Sequence, residues 1–186
     1  MDPVPDTLPV PEIKVSPNPA PKRSYALTLR FAGLPAAINQ VTVYADYDVE
    51  NIDCVPLDYT KAVGGIRLPP EHRLELSLHR VDENTYTATV HEDALQDEDY
   101  YGLGVCQWAL AGATVHFSSP TTQFISGINA DELAAEQETT DHYLARDFNQ
   151  KPALLDFVFG KDSADYYLAN LGPQFTLNIK ANREAQ

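Results

Sequence analysis

Carboxylates are the side chains of this sequence most able to do chemistry, because they are concentrated in one stretch. Twelve of the 27 acidic residues lie between Val81 and Ala145, where there is no Lys or Arg; the remainder of the chain has 15 acidic and 13 basic residues. The twelve are Asp82, Glu83, Glu92, Asp93, Asp97, Glu98, Asp99, Asp131, Glu132, Glu136, Glu138 and Asp141. Such a cluster offers oxygen ligands for calcium or an acid–base pair for glycoside hydrolysis.

The densest part of this stretch, residues 92–99, fits neither chemistry well. If Asp97 and Asp99 take the first and third positions of an EF-hand loop, Trp108 takes the twelfth, where a bidentate glutamate is required. An irregular calcium site stays open as an alternative. A glycosidase pair lacks an aromatic cleft that would hold a sugar.

Other catalytic motifs are missing from the sequence. It contains no nucleophile elbow, no zinc-protease motif, no phosphate-binding P-loop and no dinucleotide-binding glycine pattern. The five histidines are scattered: His72, His79, His91, His116 and His142. We therefore expect no enzyme activity, no cofactor and no metal site.

The charge distribution bears on the kind of partner. A net charge of −14 and a pI near 4.5 argue against binding to nucleic acid or to anionic lipid. The acidic stretch is either a solvated face or a field that attracts a basic protein partner.

Two cysteines, Cys54 and Cys106, lie about fifty residues apart in strand-like contexts, with Trp108 nearby. This arrangement predicts one inter-strand or inter-sheet disulfide and a structural role for Trp108. Two buried free thiols are the alternative, and a zinc site is disfavoured because paired ligand spacing is absent. A disulfide would indicate an oxidising compartment.

Period-two alternation of apolar and polar residues dominates the chain after the first 22 residues. The alternating segments lie at 25–31, 41–47, 74–78, 86–90, 103–110, 115–117, near 124 and at 175–179. Seven or more short strands separated by Gly, Pro, Asn or Asp predict an all-β, immunoglobulin-like antiparallel sandwich. One or two short helices are predicted, at Asp131–Glu138 with Asn129 or Asp131 as its cap, and at Ser163–Asn170.

The first 22 residues contain seven of the fourteen prolines. Proline lacks the N–H that a strand ladder needs and favours extended geometry, so residues 1–22 are predicted to form a disordered, semi-rigid tether. Residues 23–186 are predicted to form a single β-sandwich domain.

Tyr100 and Tyr101 follow the acidic run and allow two interpretations. One is a sandwich corner in which a tyrosine hydroxyl is tied to the backbone. The other is an acidic and aromatic binding rim, for which the candidate residues are Glu92, Asp93, Asp97, Glu98, Asp99, Tyr100 and Tyr101.

Two segments together resemble a known family. Residues 47–56 read YDVENIDCVP and residues 97–108 read DEDYYGLGVCQW. This pair resembles periplasmic immunity lipoproteins of Gram-negative bacteria, which accompany antibacterial effectors of the type VI secretion system, especially phospholipase-type effectors. The resemblance covers roughly residues 25–145.

The resemblance implies a periplasmic antitoxin that neutralises its cognate effector by stoichiometric occlusion. It further implies a secretion signal and a lipid anchor attached ahead of the proline-rich tail, which would be the protein's contact with a membrane. We expect the effector to present a basic surface. A non-catalytic envelope module that binds carbohydrate or an assembly partner is the alternative function.

Overall fold

The fold is described from a computed structural model, which covers residues 9–168 and 171–185. Its strands are Ser24–Ala32 (β1), Gln40–Val49 (β2), Glu71–Leu76 (β3), His79–Arg80 (β4), Thr85–His91 (β5), Trp108–Ser118 (β6), Gln123–Asn129 (β7), Glu138–Leu144 (β8), Val158–Phe159 (β9) and Gln174–Arg183 (β10). Its α-helices are Ala130–Ala134 (α1) and Ala145–Asn149 (α2), and short 3₁₀ helices lie at Ile52–Cys54 and Ala164–Tyr166.

The strands form two five-stranded sheets, which confirms the predicted all-β sandwich. One sheet has the order β4-β5-β1-β10-β8 and the other β3-β2-β6-β7-β9. The pairs β1–β5 and β2–β6 and the hairpins β2–β3, β4–β5 and β6–β7 reproduce the immunoglobulin arrangement, with β1 as strand B and β7 as strand G. The final strand, β10, takes the place of strand A and pairs antiparallel with β1 from Tyr25–Arg183 to Ala32–Thr176.

Alternation of side chains explains why these segments become strands. In β1, Tyr25, Leu27, Leu29 and Phe31 are buried and the residues between them are more exposed. One face of each such strand joins a core between the sheets. The core is rich in aromatic rings, and Phe117, at its centre, contacts Phe31, Phe124, Tyr143 and Phe175.

The strand predicted at 103–110 is wrong in its first half. Residues 103–107 form a loop, and β6 begins at Trp108 and continues through 115–117 as one strand. Leu103 and Val105 are exposed because Gly102 and Gly104 adopt positive φ angles and turn the chain out of the sheet.

The helix prediction is correct at its start and wrong at its end. Asn129 caps α1 through a capping box with Glu132, but the helix ends at Ala134. Residues 138–144 form β8 instead, because β10 offers them a pairing partner from Gln174 to Lys180. At the second predicted site only a 3₁₀ helix at Ala164–Tyr166 forms, residues 169 and 170 lie outside the described residues, and the second α-helix is α2.

The proline-rich tail is docked on the domain over part of its length. Residues 1–8 lie outside the described residues. Pro17 pairs with Leu95, the amide of Asn18 donates to Ala94 O at 2.8 Å, and the amide of Gln96 donates to Ser16 O at 2.9 Å. Val15 packs against the core. The docked part of the chain thus begins several residues before the predicted boundary at residue 22.

Candidate functional site

The Cys54–Cys106 disulfide is present, with the two Cα atoms 5.3 Å apart. Cys54 ends the 3₁₀ helix that follows β2, and Cys106 lies two residues before β6. Since β2 and β6 are neighbours in one sheet, the bond clamps two loops at one end of that sheet, and the inter-sheet alternative is wrong. Both cysteines are buried with Val49 and Val55 in a small second core.

A second set of contacts joins the same two loops. Asn51 donates through Nδ2 to Val105 O at 2.7 Å and accepts at Oδ1 from the amide of Gln107 at 2.7 Å. The amide of Glu50 donates to Gln107 O at 3.0 Å. A disulfide and three hydrogen bonds therefore make residues 50–55 and 103–107 one rigid unit.

Tyr100 and Tyr101 pack against the disulfide core of this unit. The Tyr100 hydroxyl donates to Gln96 O at 2.7 Å and accepts from the amide of Ser16, so the corner interpretation is confirmed for Tyr100. Tyr101 packs on the disulfide core, and burial raises the pKa of its hydroxyl. Trp108 is partly buried and packs against both cores.

Two of the predicted rim carboxylates bind residues that lie just before β1 and at the end of β10. Glu92 accepts from the Tyr25 hydroxyl at 2.6 Å and pairs with Arg23 and Arg183. Asp93 accepts from the amides of Lys22 and Arg23 at 3.0 Å. Burial raises the pKa of Asp93 and these amide hydrogen bonds lower it, with a net lowering.

The remaining rim carboxylates lie on the clamped loops and stay accessible. Asp97 accepts from the amide of Trp108 at 2.8 Å, and Asp99 accepts from the amide of Gly104 at 3.1 Å. Both side chains are exposed, whereas Glu98 is half-buried and pairs through its backbone with Cys106. These carboxylates shape the loop and still present negative charge to solvent.

Apolar side chains that the sequence interpretation missed lie beside these carboxylates. Leu103 and Val105 are 54% and 52% exposed, and Ile52 is exposed on the adjoining loop. The pattern Gly102-Leu103-Gly104-Val105 was the available signal, because glycines on both sides of an apolar residue indicate a turn rather than a strand. We call the exposed side chains of Ile52, Asp53, Asp97, Asp99, Leu103 and Val105 the clamped surface.

A projecting hairpin extends from the clamped surface. The backbones of Asp58 and Ile66 pair with each other, and Arg67 Nε donates to Val55 O at 2.8 Å, which fixes the base of the hairpin beside the disulfide core. Its exposed apolar side chains are Leu57, Tyr59, Val63 and Ile66. Exposed apolar groups on adjoining anchored loops are typical of a protein-binding surface.

One further carboxylate lies in a chemically unusual setting. Asp141 on β8 accepts from the Ser126 hydroxyl at 2.7 Å, in a gap between the sheets where a Cβ on Gly160 would lie within 2.6 Å of its side chain. Burial raises the pKa of Asp141. No imidazole hydrogen-bonds to Ser126 among the described residues, so this pair lacks the base that a nucleophilic serine needs.

Within residues 9–168 and 171–185, no group of three or more His, Cys, Asp or Glu side chains is arranged to hold a metal ion. No helix in these ranges is long and apolar enough to cross a bilayer. Comparison with family models, curated proteins and solved structures found no significant match.

Proposed function

We propose that this protein is a periplasmic immunity protein that binds and neutralises an antibacterial type VI secretion effector, with a lipase or phospholipase favoured. The observation that carries the proposal is the joining of the two segments that resemble the family. Residues 47–56 and 97–108 are linked by the disulfide and by Asn51, and their exposed side chains form the clamped surface.

The clamped surface has the features that tight inhibition requires. Its backbone is held by covalent and hydrogen-bonded links, so little conformational entropy is lost on binding. Its apolar centre, Leu103 and Val105, can be buried against the effector, and the surrounding carboxylates of Asp53, Asp97 and Asp99 attract a basic surface. Occlusion needs no catalytic group of its own.

The disulfide supports a location in an oxidising compartment, and the periplasm is the compartment that the resemblance implies. An anchor attached ahead of the docked tail would hold the domain at the membrane. Because Ser16 and Pro17 bind beside Tyr100, the chain would leave the domain near the clamped surface.

A periplasmic protection assay tests the proposal. The candidate toxins are the products of reading frames that neighbour this gene, each exported to the periplasm of a sensitive strain with or without this protein. We expect the wild-type protein to restore growth and to bind the purified toxin in a 1:1 ratio. Survival no better than with an empty vector, together with no binding by calorimetry, would reject the proposed function.

Two matched double variants locate the binding surface. Leu103→Asp with Val105→Asp should weaken binding about 100-fold or more, since a buried hot spot contributes about 2 kcal/mol or more. Leu154→Asp with Phe159→Asp replaces a more exposed apolar pair at the other end of the sandwich and should leave binding unchanged. Circular dichroism and thermal melting establish that both variants fold.

One observation favours the alternative of carbohydrate binding. The rings of Tyr44, His116 and Phe157 form a row across the outer face of the second sheet, with centroids 5.4 and 5.9 Å apart. The guanidinium of Arg73 lies 5.1 Å from the Tyr44 centroid and offers hydrogen-bond donors beside the rings. Calorimetric titration with soluble peptidoglycan fragments tests this alternative. It requires that the wild-type protein bind the fragments and that Tyr44→Ala abolish this binding.

A further inference from the structure

A second exposed apolar surface lies on the connection between α2 and β10. We define the edge patch as the side chains of Leu154, Leu155, Phe157, Phe159, Tyr166 and Leu168. Leu154 is fully exposed, and Leu168 and Phe159 are 70% and 60% exposed. Single exposed apolar residues are ordinary, but six within fifteen residues mark an interaction surface.

The edge patch is built into the fold by strand pairing. In β9, Val158 pairs with Phe124 and points into the core, which turns Phe157 and Phe159 outward. Two residues further on, Lys161 exchanges backbone hydrogen bonds with His142 of β8, at 2.7 and 3.0 Å. The segment 158–161 thus joins the edges of both sheets and cannot turn its apolar side chains inward without breaking these links.

Aromatic contacts fix the patch further. Phe157 packs edge-on against His116 of β6, with ring centroids 5.9 Å apart. The ammonium of Lys161 lies 4.5 Å from the centroid of the Tyr166 ring. Phe157 and Tyr166 are therefore held in place on the scaffold, which lowers the entropy cost of burying them in an interface.

The edge patch and the clamped surface differ in their net charge. Residues 146–168 contain three basic and four acidic side chains, although the whole chain has a net charge of −14. The two surfaces lie at opposite ends of the sandwich: the disulfide adjoins the start of β6 at Trp108, and β9 lies beside the start of β7, which pairs with the end of β6 at Ser118. A basic partner is drawn to the clamped surface, and the nearly neutral edge patch has no such preference.

We propose that the edge patch binds a second copy of this chain and forms a symmetric dimer. Two copies with a net charge of −14 repel each other, so their contact is most favourable where the surface is neutral and apolar. Two lysines and three aspartates are interspersed along this segment, at Lys151, Asp156, Lys161, Asp162 and Asp165, and Lys151 pairs with Asp156 within the chain at 3.5 Å. In an isologous contact, Lys161 of each copy can face Asp162 or Asp165 of the other.

The mixed charges favour a protein over a lipid occupant. Asp156, Asp162 and Asp165 would lose hydration at a bilayer surface and would lie close to lipid phosphates of the same charge. A dimer through the edge patch leaves both clamped surfaces free, at its two far ends. The inference does not depend on the proposed function, because no effector takes part in the contact.

Sedimentation equilibrium of the full chain tests the dimer. We expect the weight-average molecular mass to rise from that of one chain toward that of two chains as the protein concentration increases from about 1 to 100 µM. This range brackets the Kd values of moderate interfaces. The association should weaken little between low and high salt, because its driving force is apolar burial. A monomer throughout this range overturns the inference.

The same two double variants also test the dimer, but the test variant and the control variant are exchanged. Leu154→Asp with Phe159→Asp should reduce association at least tenfold, whereas Leu103→Asp with Val105→Asp should leave it unchanged. Dimers that persist in the first variant, or disappear in the second, overturn the assignment of the edge patch. A monomeric wild-type chain that co-floats with phosphatidylcholine vesicles would assign the patch to lipid and overturn the dimer. None of these results depends on toxin neutralisation, so the two proposals fail separately.

Discussion

Asp93 shows how a carboxylate that looks available in the sequence is used inside the fold. Its two oxygens accept from the amides of Lys22 and Arg23, about seventy residues away in the chain. The negative charge is therefore committed to holding the tail. Of the predicted rim, Asp97 and Asp99 are the carboxylates whose side chains remain exposed on the clamped loops.

We predict that Asp93→Asn destabilises the protein at pH 7 by about 1–2 kcal/mol, toward the low end of the range of about 1.5–3 kcal/mol for a hydrogen bond to a charged group, because Asp93 is partly exposed. Because the folded pKa of Asp93 is lowered, its contribution is present above the unfolded pKa of about 3.9 and is lost as pH falls through the folded pKa. Thermal melts should therefore differ at pH 7 and converge near the acid limit. Glu75→Gln, at an exposed position on β3, is the control and should melt like wild type.

Asp141 is predicted to have the opposite effect on stability. Burial raises its folded pKa, so the folded state binds more protons than the unfolded state between the two pKa values, and stability falls as pH rises through that range. Asp141→Asn keeps an acceptor for the Ser126 hydroxyl and removes the buried charge. We expect the variant to be more stable than wild type at pH 7, with a flatter pH profile. Equal slopes of stability against pH for the two proteins would contradict this account.

At the scale of elements, the docked tail behaves as an additional edge segment. Ser16, Pro17 and Asn18 bind the loop that follows β5, and Val15 reaches the core. A tail that served as a spacer alone would make none of these contacts. Its docking also sets where any preceding segment meets the domain.

Two truncations measure what this docking contributes. A chain that begins at Ile13 keeps the contacts, and a chain that begins at Arg23 loses them. We expect the second to be less stable by about 1–3 kcal/mol, because it loses five hydrogen bonds made by Ser16, Asn18 and Lys22 and the burial of Val15, a loss that the freed conformational entropy of the tail partly offsets. This corresponds to a fall in Tm of roughly 2–4 °C per kcal/mol for a chain of this length. Identical melting curves would show that the docked segment adds no stability.

The disulfide stabilises the same end of the molecule. It closes a loop with a sequence separation of 52, for which loop-closure entropy gives about 4 kcal/mol. We expect Cys54→Ser with Cys106→Ser to lower the free energy of unfolding by 2–4 kcal/mol, about the usual range. Toxin binding should fall as well, because the loops that carry Ile52 and Val105 would then be joined only by the hydrogen bonds of Glu50 and Asn51 and would be less rigid. Reduced wild-type protein is the independent check, since it breaks the same bond without a substitution.

At the scale of the whole molecule, the two ends of the sandwich both expose apolar side chains but differ in their charge. Carboxylates gather near the disulfide, where the proposed effector binds, and the nearly neutral edge patch lies at the other end. This arrangement allows one chain to attract a basic partner and to associate with itself through separate surfaces. Each surface is open to test with variants that leave the other intact.

Charge at the clamped surface should act on the association rate. Replacing Asp97 and Asp99 with Asn and Glu98 with Gln keeps acceptors for the Trp108 and Gly104 amides and removes three charges. We expect stopped-flow association with the toxin to slow about three- to tenfold in dilute buffer and to differ little at physiological salt, where screening acts over about 8 Å. The matched triple change at Asp156, Asp162 and Asp165 should have no such effect. Identical rates for wild type and the first variant at low salt would exclude steering by these carboxylates.

Local patterns in the sequence determined the class of fold and the main strands. Alternation in β1, β2, β5 and β10 specifies which face of each strand is buried, because side chains on a strand point to opposite faces in turn. The cysteine pair and the role of Trp108 also followed from their neighbours along the chain. These features depend on residues close in sequence, so a single sequence contains the information needed to predict them.

Only the tertiary structure decided the rest. Residues 138–144 become β8 because β10 presents an edge to them, and β10 lies beside β1, about 150 residues earlier in the chain. The uses of Asp93 and Asp141 depend on amides and hydroxyls brought to them by other segments. Contacts between distant segments are set by their combined burial and hydrogen bonding, which no local pattern specifies. For the same reason, the clamped surface and the edge patch could be recognised only after the fold had brought their side chains together.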